Sequence, residues 1–280
     1  MRDTFGEYIE FFKMQGCGND FIAVDNRTAQ IPLAEMPGLA VQACRRAFGI
    51  YADGIFFLEE APAESGLDYR WHFFNSDGSR AEMCGNASRC AARLAHTLGL
   101  APARHVFGSD AGPIEAEVLA GTNRVRVRLP APRDLELNIP LDVDGQALTA
   151  HFVNTGVPHA VIFFPDVAQV DVAALGRAVR FHPRFAPAGT NANFVQVLNP
   201  TEMLLRTYER GVEGETYACG TGAAASQIAA QALGFTGDEA GLKTTGGEVL
   251  GVALREGAVF LEGAAEMVFS GRWRLSIPRG

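Results

Sequence analysis

A cysteine placed directly before an alanine-rich run occurs twice in this chain, and this repeat constrains the fold more than any other feature. The first copy runs from Cys84 to Leu98-Gly99 and the second from Cys219 to Leu233-Gly234, so both landmarks lie 135 positions apart. Glycine just after the last apolar residue is a common helix C-terminal signal. Each copy therefore predicts a helix of about four turns whose N-terminus carries a thiol.

The repeat extends beyond the two predicted helices. A strand-like stretch follows each of them, at 124–128 and 258–261, and residues 12–24 match 152–164 at a shift of 140. We therefore predict two halves of like fold, each presenting one cysteine. The Pro-, Gly- and Asp-rich region 130–144 is the predicted crossing between them. Residues 1–130, with a returning strand in 271–280, form the predicted N-terminal half that carries Cys84, and 131–270 form the half that carries Cys219.

Local patterns predict the other elements of the first half. Strands are expected at 9–14, 21–25, 54–59 and 69–74, a helix at 35–48, and a turn at 75–79 that delivers the chain to Cys84.

Composition narrows the possible function classes. The chain has 280 residues, is 48% hydrophobic and carries a net charge of −8, so it can bury a sizeable core and lacks the basic face of a nucleic-acid-binding protein. It contains no apolar run near the roughly 20 residues of a membrane span, and no secretory signal is visible. Five cysteines without a Cys-x-x-Cys pair suit the reducing cytoplasm, and the six histidines lack the spacing of a zinc site. We expect neither a membrane nor a metal.

The position of the two thiols indicates a chemistry. A cysteine at a helix N-terminus is expected to have a lowered pKa, and the unpaired N–H groups there suit a substrate carboxylate. If two such helix ends face one carbon, one thiolate can remove a proton from one face while the other thiol supplies a proton to the opposite face. We therefore predict that Cys84 and Cys219 act as a pair. Cys17, Cys44 and Cys90 lack such a duplicated setting and are predicted to be packing residues.

Three other functions fit the sequence less well than an enzyme with two catalytic thiols. Residues 220–225 fit a loose Gly-x-Gly-x-x-Ala dinucleotide motif, but the stretch before them, 211–216, is polar and loop-like where that motif needs a buried strand. A pyridoxal phosphate racemase needs a Schiff-base lysine, and the chain offers only Lys13 and Lys243. A small-molecule binding module without catalysis is the non-enzymatic alternative, and the paired thiols argue against it.

Several motifs, taken together, resemble the diaminopimelate epimerase family over nearly the whole chain. They are Gly18-Asn19-Asp20-Phe21, Phe48-Gly49 with Ala52-Asp53-Gly54, Phe74 to Ser79, Cys84-Gly85-Asn86 with Arg89-Cys90, Gly156-Val157-Pro158-His159, Gly189 to Phe194, and Tyr208 to Gly222. The resemblance implies a cofactor-independent epimerase that interconverts LL- and meso-diaminopimelate on the route to lysine and peptidoglycan. It also implies an α/β fold of two pseudo-symmetric halves, each a barrel-like, mainly antiparallel sheet around a central helix, with the site in the cleft between the halves. A cytoplasmic homodimer acting on a small amino-acid substrate is expected.

The resemblance also implies roles for single residues. Cys84 and Cys219 would be the acid/base pair. The reacting carboxylate would be held at the helix N-termini by Gly85, Asn86, Gly220 and Thr221. The amino groups and the distal carboxylate would be read by Asn19, Asn75, Asn191, Glu209 and Arg210.

Three positions leave alternatives open. Val157 stands where many family members have asparagine, so a related racemase acting on another amino acid, such as histidine, is the alternative function. The first cysteine is followed by Asn86-Ala87-Ser88-Arg89 where Gly-Ala-Arg is usual. His159 is either a turn histidine or a polar group that helps one thiol change its protonation state.

Overall fold

The computed structural model describes residues 8–274. Its α-helices are α1 (Asn26–Ala29), α2 (Met36–Cys44), α3 (Gly85–Thr97), α4 (Val172–Arg180) and α5 (Gly220–Ala232), with 3-10 turns at Val167–Gln169 and Pro183–Phe185. Its strands are β1 (Tyr8–Gly16), β2 (Asn19–Asp25), β3 (Gly54–Glu60), β4 (Tyr69–Asn75), β5 (Arg104–Ser109), β6 (Gly112–Val118), β7 (Arg124–Arg128), β8 (Arg133–Val143), β9 (Gln146–Asn154), β10 (Pro158–Phe163), β11 (Asn191–Asn199), β12 (Glu202–Glu209), β13 (Gly214–Thr216), β14 (Glu239–Thr244), β15 (Val249–Arg255), β16 (Ala258–Ala264) and β17 (Glu266–Arg274).

The chain divides into two compact units. Unit 1 contains the residues up to Val125 and those from Ala264 onward, and unit 2 runs from Arg126 to Gly263. These boundaries lie several residues before the predicted ones at 130 and 270. The difference at the second boundary arises because β17 is one continuous strand from Glu266 that pairs along β1. The part of the predicted returning strand after Arg274 lies outside the described residues.

The strands of the two units pair in the same sequence of directions. In unit 1, β17, β1 and β2 are antiparallel, β2 and β3 parallel, β3 and β4 antiparallel, β4 and β5 parallel, and β5 and β6 antiparallel. In unit 2, β8, β9 and β10 are antiparallel, β10 and β11 parallel, β11 and β12 antiparallel, β12 and β14 parallel, and β14 and β15 antiparallel. The predicted α/β fold with an internal duplication is confirmed.

Helices α3 and α5 are the centres of their units. Each has 13 residues, each begins directly after its cysteine, and each has a leucine as its C-cap, followed by a left-handed glycine, Gly99 or Gly234, as the repeat predicts. Helix α3 packs against β1, β2, β3, β6 and β17, and α5 against β9, β10, β11, β14 and β15. Small side chains such as Ala91, Ala92 and Ala229 are fully buried, which lets strands approach from several sides. Each sheet therefore curves around its helix.

Two predicted elements differ from the structure. Helix α2 ends at Cys44 and not at residue 48, because Arg45 is extended and the chain folds back so that Ile50 donates to the Ala43 carbonyl. The predicted crossing 130–144 contains the strand β8. Its apolar side chains alternate from Ile139 to Val143, a period of two that buries one side of the strand, while proline and aspartate occupy the exposed positions between them.

Each unit has its own apolar core. In unit 1 a cluster including Ile22, Leu39 and Phe57 joins β2, β3 and α2. In unit 2 a cluster including Ile162, Val179 and Phe194 joins β10, α4 and β11. Among residues 8–274, no helix is long and apolar enough to cross a membrane.

Candidate active site

In unit 1, the N-terminus of α3 presents Cys84. This residue is the N-cap, with an extended backbone (φ −139°, ψ 120°), and its carbonyl accepts the first helical hydrogen bond from Ser88 at 2.8 Å. Its side chain is partly exposed. Gly85 and Asn86 follow as the first two helical residues. The N–H groups of a first helical turn have no acceptor within the helix, so this end can bind an anion.

Asn19 joins Asn86 in what we call the Cys84 cluster, which comprises Asn19, Cys84, Gly85 and Asn86. The Asn86 amide nitrogen donates to the Asn19 side-chain oxygen. The Asn19 amide nitrogen donates in turn to Asp53 Oδ2 at 3.1 Å. The turn between β1 and β2 therefore delivers Asn19 to the start of α3.

Asn75, predicted to read the substrate, lies at the end of β4. Its backbone pairs with Gly54, and its side-chain amide donates to Ser79 Oγ at 3.0 Å within the turn predicted at 75–79. The structure thus places Asn75 on the strand beside β3, and the contact of its side chain is local to the turn.

In unit 2, the N-terminus of α5 presents Cys219 in the same way. Cys219 is the N-cap (φ −119°, ψ 108°), its Sγ accepts from the Gly222 N–H at 3.4 Å, and its Sγ lies 3.5 Å from Thr221 Oγ1. Gly220 and Thr221 are the first two helical residues. Gly222 lies so close to β11 that a Cβ there would overlap the Asn193 side-chain oxygen. We call Glu209, Arg210, Asn191, Cys219, Gly220 and Thr221 the Cys219 cluster.

The pKa of Cys219 is contrary to the sequence-based expectation. Burial raises the pKa of this thiol well above its usual value, and the negative charge of Glu209 raises it further. The hydrogen bonds from Thr221 and Gly222 lower the pKa, but their effect is smaller than that of burial. The expected lowering of the pKa is therefore wrong for Cys219, because burial penalises the thiolate more than the hydrogen bonds from Thr221 and Gly222 stabilise it.

The polar residues of unit 2 converge on the start of β11 and the end of β12. The Asn191 side chain accepts from the Arg210 backbone N–H at 2.8 Å and donates to the Pro158 carbonyl at 2.9 Å. The Arg210 guanidinium donates to the Ala188 carbonyl at 3.3 Å. Glu209 Oε1 accepts a hydrogen bond from Thr216 Oγ1 at 2.6 Å, and the charge of Glu209 raises the pKa of Cys219. Asn191, Glu209 and Arg210 are thus brought together.

Two further residues of this region were not on the predicted list of site residues. His159 is completely buried, and burial lowers its pKa to about 3, so its ring is neutral. Its Nδ1 lies 3.0 Å from the Asn193 amide nitrogen, whereas its Nε2 has no hydrogen-bond partner among residues 8–274. Asn193 also donates to the Ala160 carbonyl and accepts from Thr207. The repeated Asn-x-Asn of 191–193 was the available signal, because alternate residues of a strand lie on one side.

The three remaining cysteines are buried, as expected of packing residues. Burial raises the pKa of Cys44 to about 12 and also raises that of Cys90.

A groove of about 550 Å³ in unit 2, lined by residues such as Asp166, Val170 and Leu175, includes no residue of the Cys219 cluster.

Comparison with known proteins identifies the family. The family model for diaminopimelate epimerase matches residues 11–133 and 151–268. This chain belongs to the diaminopimelate epimerase family. The diaminopimelate epimerase of Aquifex aeolicus is 43% identical over 273 residues, covering 94% of this chain and 97% of the relative. That of a Hydrogenobaculum species is 44% identical over 268 residues, covering 92% and 96%. The family predicted from the motifs is confirmed.

Solved structures confirm the fold expected for a diaminopimelate epimerase family member. A phenazine biosynthesis protein of the PhzF family from Bacillus anthracis superposes with a TM-score of 0.74 at 13% identity, covering 96% of this chain and all of the other. A probable proline racemase from Agrobacterium radiobacter, with bound carbonate, gives 0.72 at 16% identity, covering 96% and 93%. At these identities the similarity is one of fold. The short, half-buried strand β13 before α5 also differs from the buried strand that a dinucleotide motif needs.

Proposed function

We propose that this protein is a diaminopimelate epimerase, which interconverts LL- and meso-diaminopimelate without a cofactor. One cysteine thiolate removes the α-proton from one face of the carbon, and the other cysteine thiol supplies a proton to the opposite face. The observation that carries the proposal is the duplicated cysteine in a member of this family. Cys84 and Cys219 are the N-caps of two buried helices of equal length, one in each unit. A catalytic pair that serves two mirror-related faces of a carbon needs two equivalent positions, and the duplication provides them.

The electrostatic environment of Cys219 supports an assignment of the roles of the two thiols at the start of the reaction. Because burial and Glu209 raise its pKa, Cys219 is a neutral thiol at neutral pH. We assign the removal of the α-proton to Cys84, whose side chain is partly exposed at the N-terminus of α3. The Cys219 S–H gives its proton to the opposite face of the carbon. After this step Cys84 is the thiol and Cys219 the thiolate. Loss of a proton from Cys84 to solvent and gain of a proton from solvent by Cys219 restore them for the next turnover.

The helix ends support the second part of the mechanism. Removing the α-proton shifts negative charge onto the neighbouring carboxylate. The N–H groups of Gly85, Asn86, Gly220 and Thr221 belong to first helical turns, and a developing oxyanion is stabilised by such fixed donors. The distal groups of the substrate are assigned to the Asn19, Asn75, Asn191, Glu209 and Arg210 side chains. A guanidinium matches a carboxylate, and a carboxylate accepts from an ammonium group.

Substitution of each cysteine tests the proposed pair. Cys84→Ala and Cys219→Ala should each lower kcat for epimerisation by at least about 10³-fold, since a positioned acid or base contributes about 10²–10⁴-fold. Turnover in D₂O should place deuterium at the α-carbon of the newly formed isomer. The Cys44→Ala variant, which alters a buried cysteine outside both clusters, is the control and should keep its activity. Full activity of either single variant would contradict the two-thiol mechanism.

A substrate panel tests the proposed specificity against the alternative. The purified protein, without added cofactor, should act on LL-diaminopimelate and far more slowly on L-lysine and L-glutamate, which lack the distal carboxylate and the distal ammonium. A site that leaves buried polar groups unpaired rejects such analogues by about 10⁴–10⁵ in favourable cases. The alternative, a histidine racemase, is motivated by Val157, which cannot offer the side-chain amide that many family members have there. A higher kcat/KM for L-histidine would favour it and would leave the two-thiol mechanism intact.

We further propose, from the family resemblance, a cytoplasmic homodimer. Met267, Val268 and Phe269, three consecutive residues of β17, have exposed apolar side chains, which supports a contact with a second copy. Light scattering on the purified protein should give about twice the 30.0 kDa chain mass. A mass of one chain at micromolar concentration would contradict the dimer.

A further inference from the structure

Arg89 is a guanidinium with no exposed surface, placed one turn into α3. Its Nη2 donates to the Asn86 side-chain oxygen at 2.8 Å and to Cys17 Sγ at 3.3 Å. Its Nη1 donates to the Gly85 carbonyl at 3.3 Å, and its Nε to the Ala264 carbonyl at 3.4 Å. Burying a charge is costly unless it is well hydrogen-bonded, and these four acceptors hold the guanidinium directly beneath the Cys84 cluster.

Arg89 begins a relay of side-chain hydrogen bonds that ends at a carboxylate. Asn86 accepts from Arg89 with its oxygen and donates with its nitrogen to the Asn19 oxygen. Asn19 donates with its nitrogen to Asp53 Oδ2. The same Asp53 oxygen accepts from the backbone N–H of Asp20 at 3.2 Å, which ties the carboxylate to β2. We call the series Arg89, Asn86, Asn19 and Asp53 the amide relay.

The two ends of the amide relay determine its direction. An arginine side chain has only donors, and an ionised carboxylate has only acceptors. An isolated asparagine amide can turn over and exchange its oxygen and nitrogen, because the two orientations have the same shape. In the relay, turning over either amide would set two donors or two acceptors against each other. Arg89 at one end and Asp53 at the other therefore leave a single orientation for both asparagines.

We propose that Arg89 and Asp53 are positioning residues of the Cys84 cluster, which fix the Asn86 and Asn19 amides so that Asn19 offers an N–H donor to an anionic group of the substrate. The Asn19 oxygen accepts within the relay, and its nitrogen carries a second N–H besides the one given to Asp53. A carboxylate is matched by donors, and an inverted amide would set its oxygen against the anion. This inference rests on the proposed function only in taking the ligand to be an amino acid.

Four variants test the amide relay. Arg89→Gln and Asp53→Asn each replace an end of fixed polarity by an amide that can both donate and accept, so the central amides can invert. Arg89→Lys keeps an end that only donates. Arg93→Gln is the matched control: Arg93 lies on the same helix, and its guanidinium donates to the Thr122 and Arg124 carbonyls, outside the relay.

The activity measurements have a defined expected pattern. Arg89→Gln and Asp53→Asn should each lower kcat/KM at least about tenfold, Arg89→Lys should lose less than Arg89→Gln, and Arg93→Gln should stay within about twofold of wild type. The Arg89→Gln/Asp53→Asn double variant should have a kcat/KM no more than about threefold below that of the less active of its two single variants. The effects of residues that act as one unit do not add. Two independent structural defects would multiply to about 100-fold. Multiplied losses, or an Arg89→Gln variant with wild-type kcat/KM, overturn the proposal.

A measurement without substrate separates this inference from the proposed function. In protein labelled with ¹⁵N-asparagine, Asp53→Asn should shift the side-chain amide resonances of Asn86 as well as those of Asn19, although Asp53 contacts only Asn19 in the relay. Unchanged Asn86 resonances overturn the relay. If the wild type is inactive on every amino acid, the proposed function fails and the resonances still decide on the relay. If Arg89→Gln does not fold, Asp53→Asn carries the test, because Asp53 lies at an exposed position.

Discussion

His159 illustrates how burial sets the state of a single side chain in this protein. Its ring is fully enclosed, its Nδ1 is fixed by Asn193, and burial lowers its pKa to about 3. In the unfolded chain a histidine has a pKa of about 6.5. The folded protein therefore binds this proton less readily than the unfolded chain does, and between these two pKa values the group destabilises the fold as pH falls.

The sign of this effect gives a prediction. Between pH 7.5 and pH 5, His159 should remove roughly 2 kcal/mol from the free energy of unfolding, at about 1.4 kcal/mol per pH unit below 6.5. The His159→Gln variant, whose amide can still bind Asn193, should lose correspondingly less stability over this range. Urea unfolding at several pH values measures the difference in slope. His96→Gln, at an exposed position of α3, is the control, and equal slopes for His159→Gln and wild type would contradict the assignment.

At the residue scale, the sequence predicted the positions of the two cysteines better than their protonation states. The position of the two cysteines at the starts of α3 and α5 could be predicted, because motif and spacing are local properties. The raised pKa of Cys219 could not, because it depends on enclosure by the folded unit and on Glu209, ten positions earlier in the chain. Arg89 belongs to the family motif that begins at Cys84. Its proposed positioning role, however, depends on contacts with Cys17 and Ala264, which are distant in sequence.

At the scale of elements, the start of α5 shows how closely this helix must approach β11. Gly222 is the third residue of the helix, and a Cβ there would overlap the Asn193 side-chain oxygen and lie 3.2 Å from Cys219 Sγ. Gly38 in α2 is different, because no atom of the described part of the chain lies within 4 Å of the position a Cβ would take there. The same substitution should therefore have opposite effects at the two glycines.

Alanine substitution at both positions makes the contrast measurable. Gly38→Ala should stabilise the protein by about 0.5–1 kcal/mol, because alanine favours a helix more than glycine does. Gly222→Ala should destabilise it by about 1–3 kcal/mol through overpacking and lower kcat at least about tenfold by moving Cys219. Thermal unfolding and epimerisation kinetics measure both. A Gly222→Ala variant as active and stable as Gly38→Ala would show that α5 can shift without cost.

The elements themselves were predicted where their periodicity was uninterrupted. Helices α3 and α5 have clear start and stop residues, and β7 and β16 have plain alternation. The sequence predicts a crossing where the structure has strand β8, because proline and aspartate are common in turns. In β8, Pro140 and Asp142 occupy exposed positions between buried residues. Its first part also contains two irregularities of register and left-handed residues at Asp134 and Asn138, which obscure the period in the sequence.

At the scale of the whole molecule, the two units differ in how the chain completes them. Strand β8 of unit 2 immediately precedes its partner β9, whereas β17 of unit 1 comes at the other end of the chain from its partner β1. Unit 2 is therefore one continuous segment and unit 1 is not. The duplication in the sequence predicted two similar halves, but the exact division depends on strand pairing, which no local pattern reveals.

This difference predicts the behaviour of fragments. A fragment comprising residues 126–263 contains all paired strands of unit 2 from β8 to β15 and its apolar cluster, and should fold with a cooperative thermal transition. A fragment of residues 1–125 lacks β17 and should aggregate, because β1 would present an unpaired edge with buried residues such as Ile9 and Phe11. Circular dichroism and sedimentation of both fragments measure this. A stable, monomeric 1–125 fragment would contradict it.

The pairing of β1 with β17 also has a consequence for biosynthesis. The ribosome makes β1 before the whole of unit 2, but its partner β17 begins only at Glu266, after unit 2. Until β17 has been made, the nascent chain therefore carries β1 with one edge unpaired, while the whole of unit 2 emerges and can fold. Termination of translation before Glu266 would leave β1 with an unpaired, aggregation-prone edge, because the strand that covers this edge is made only after unit 2.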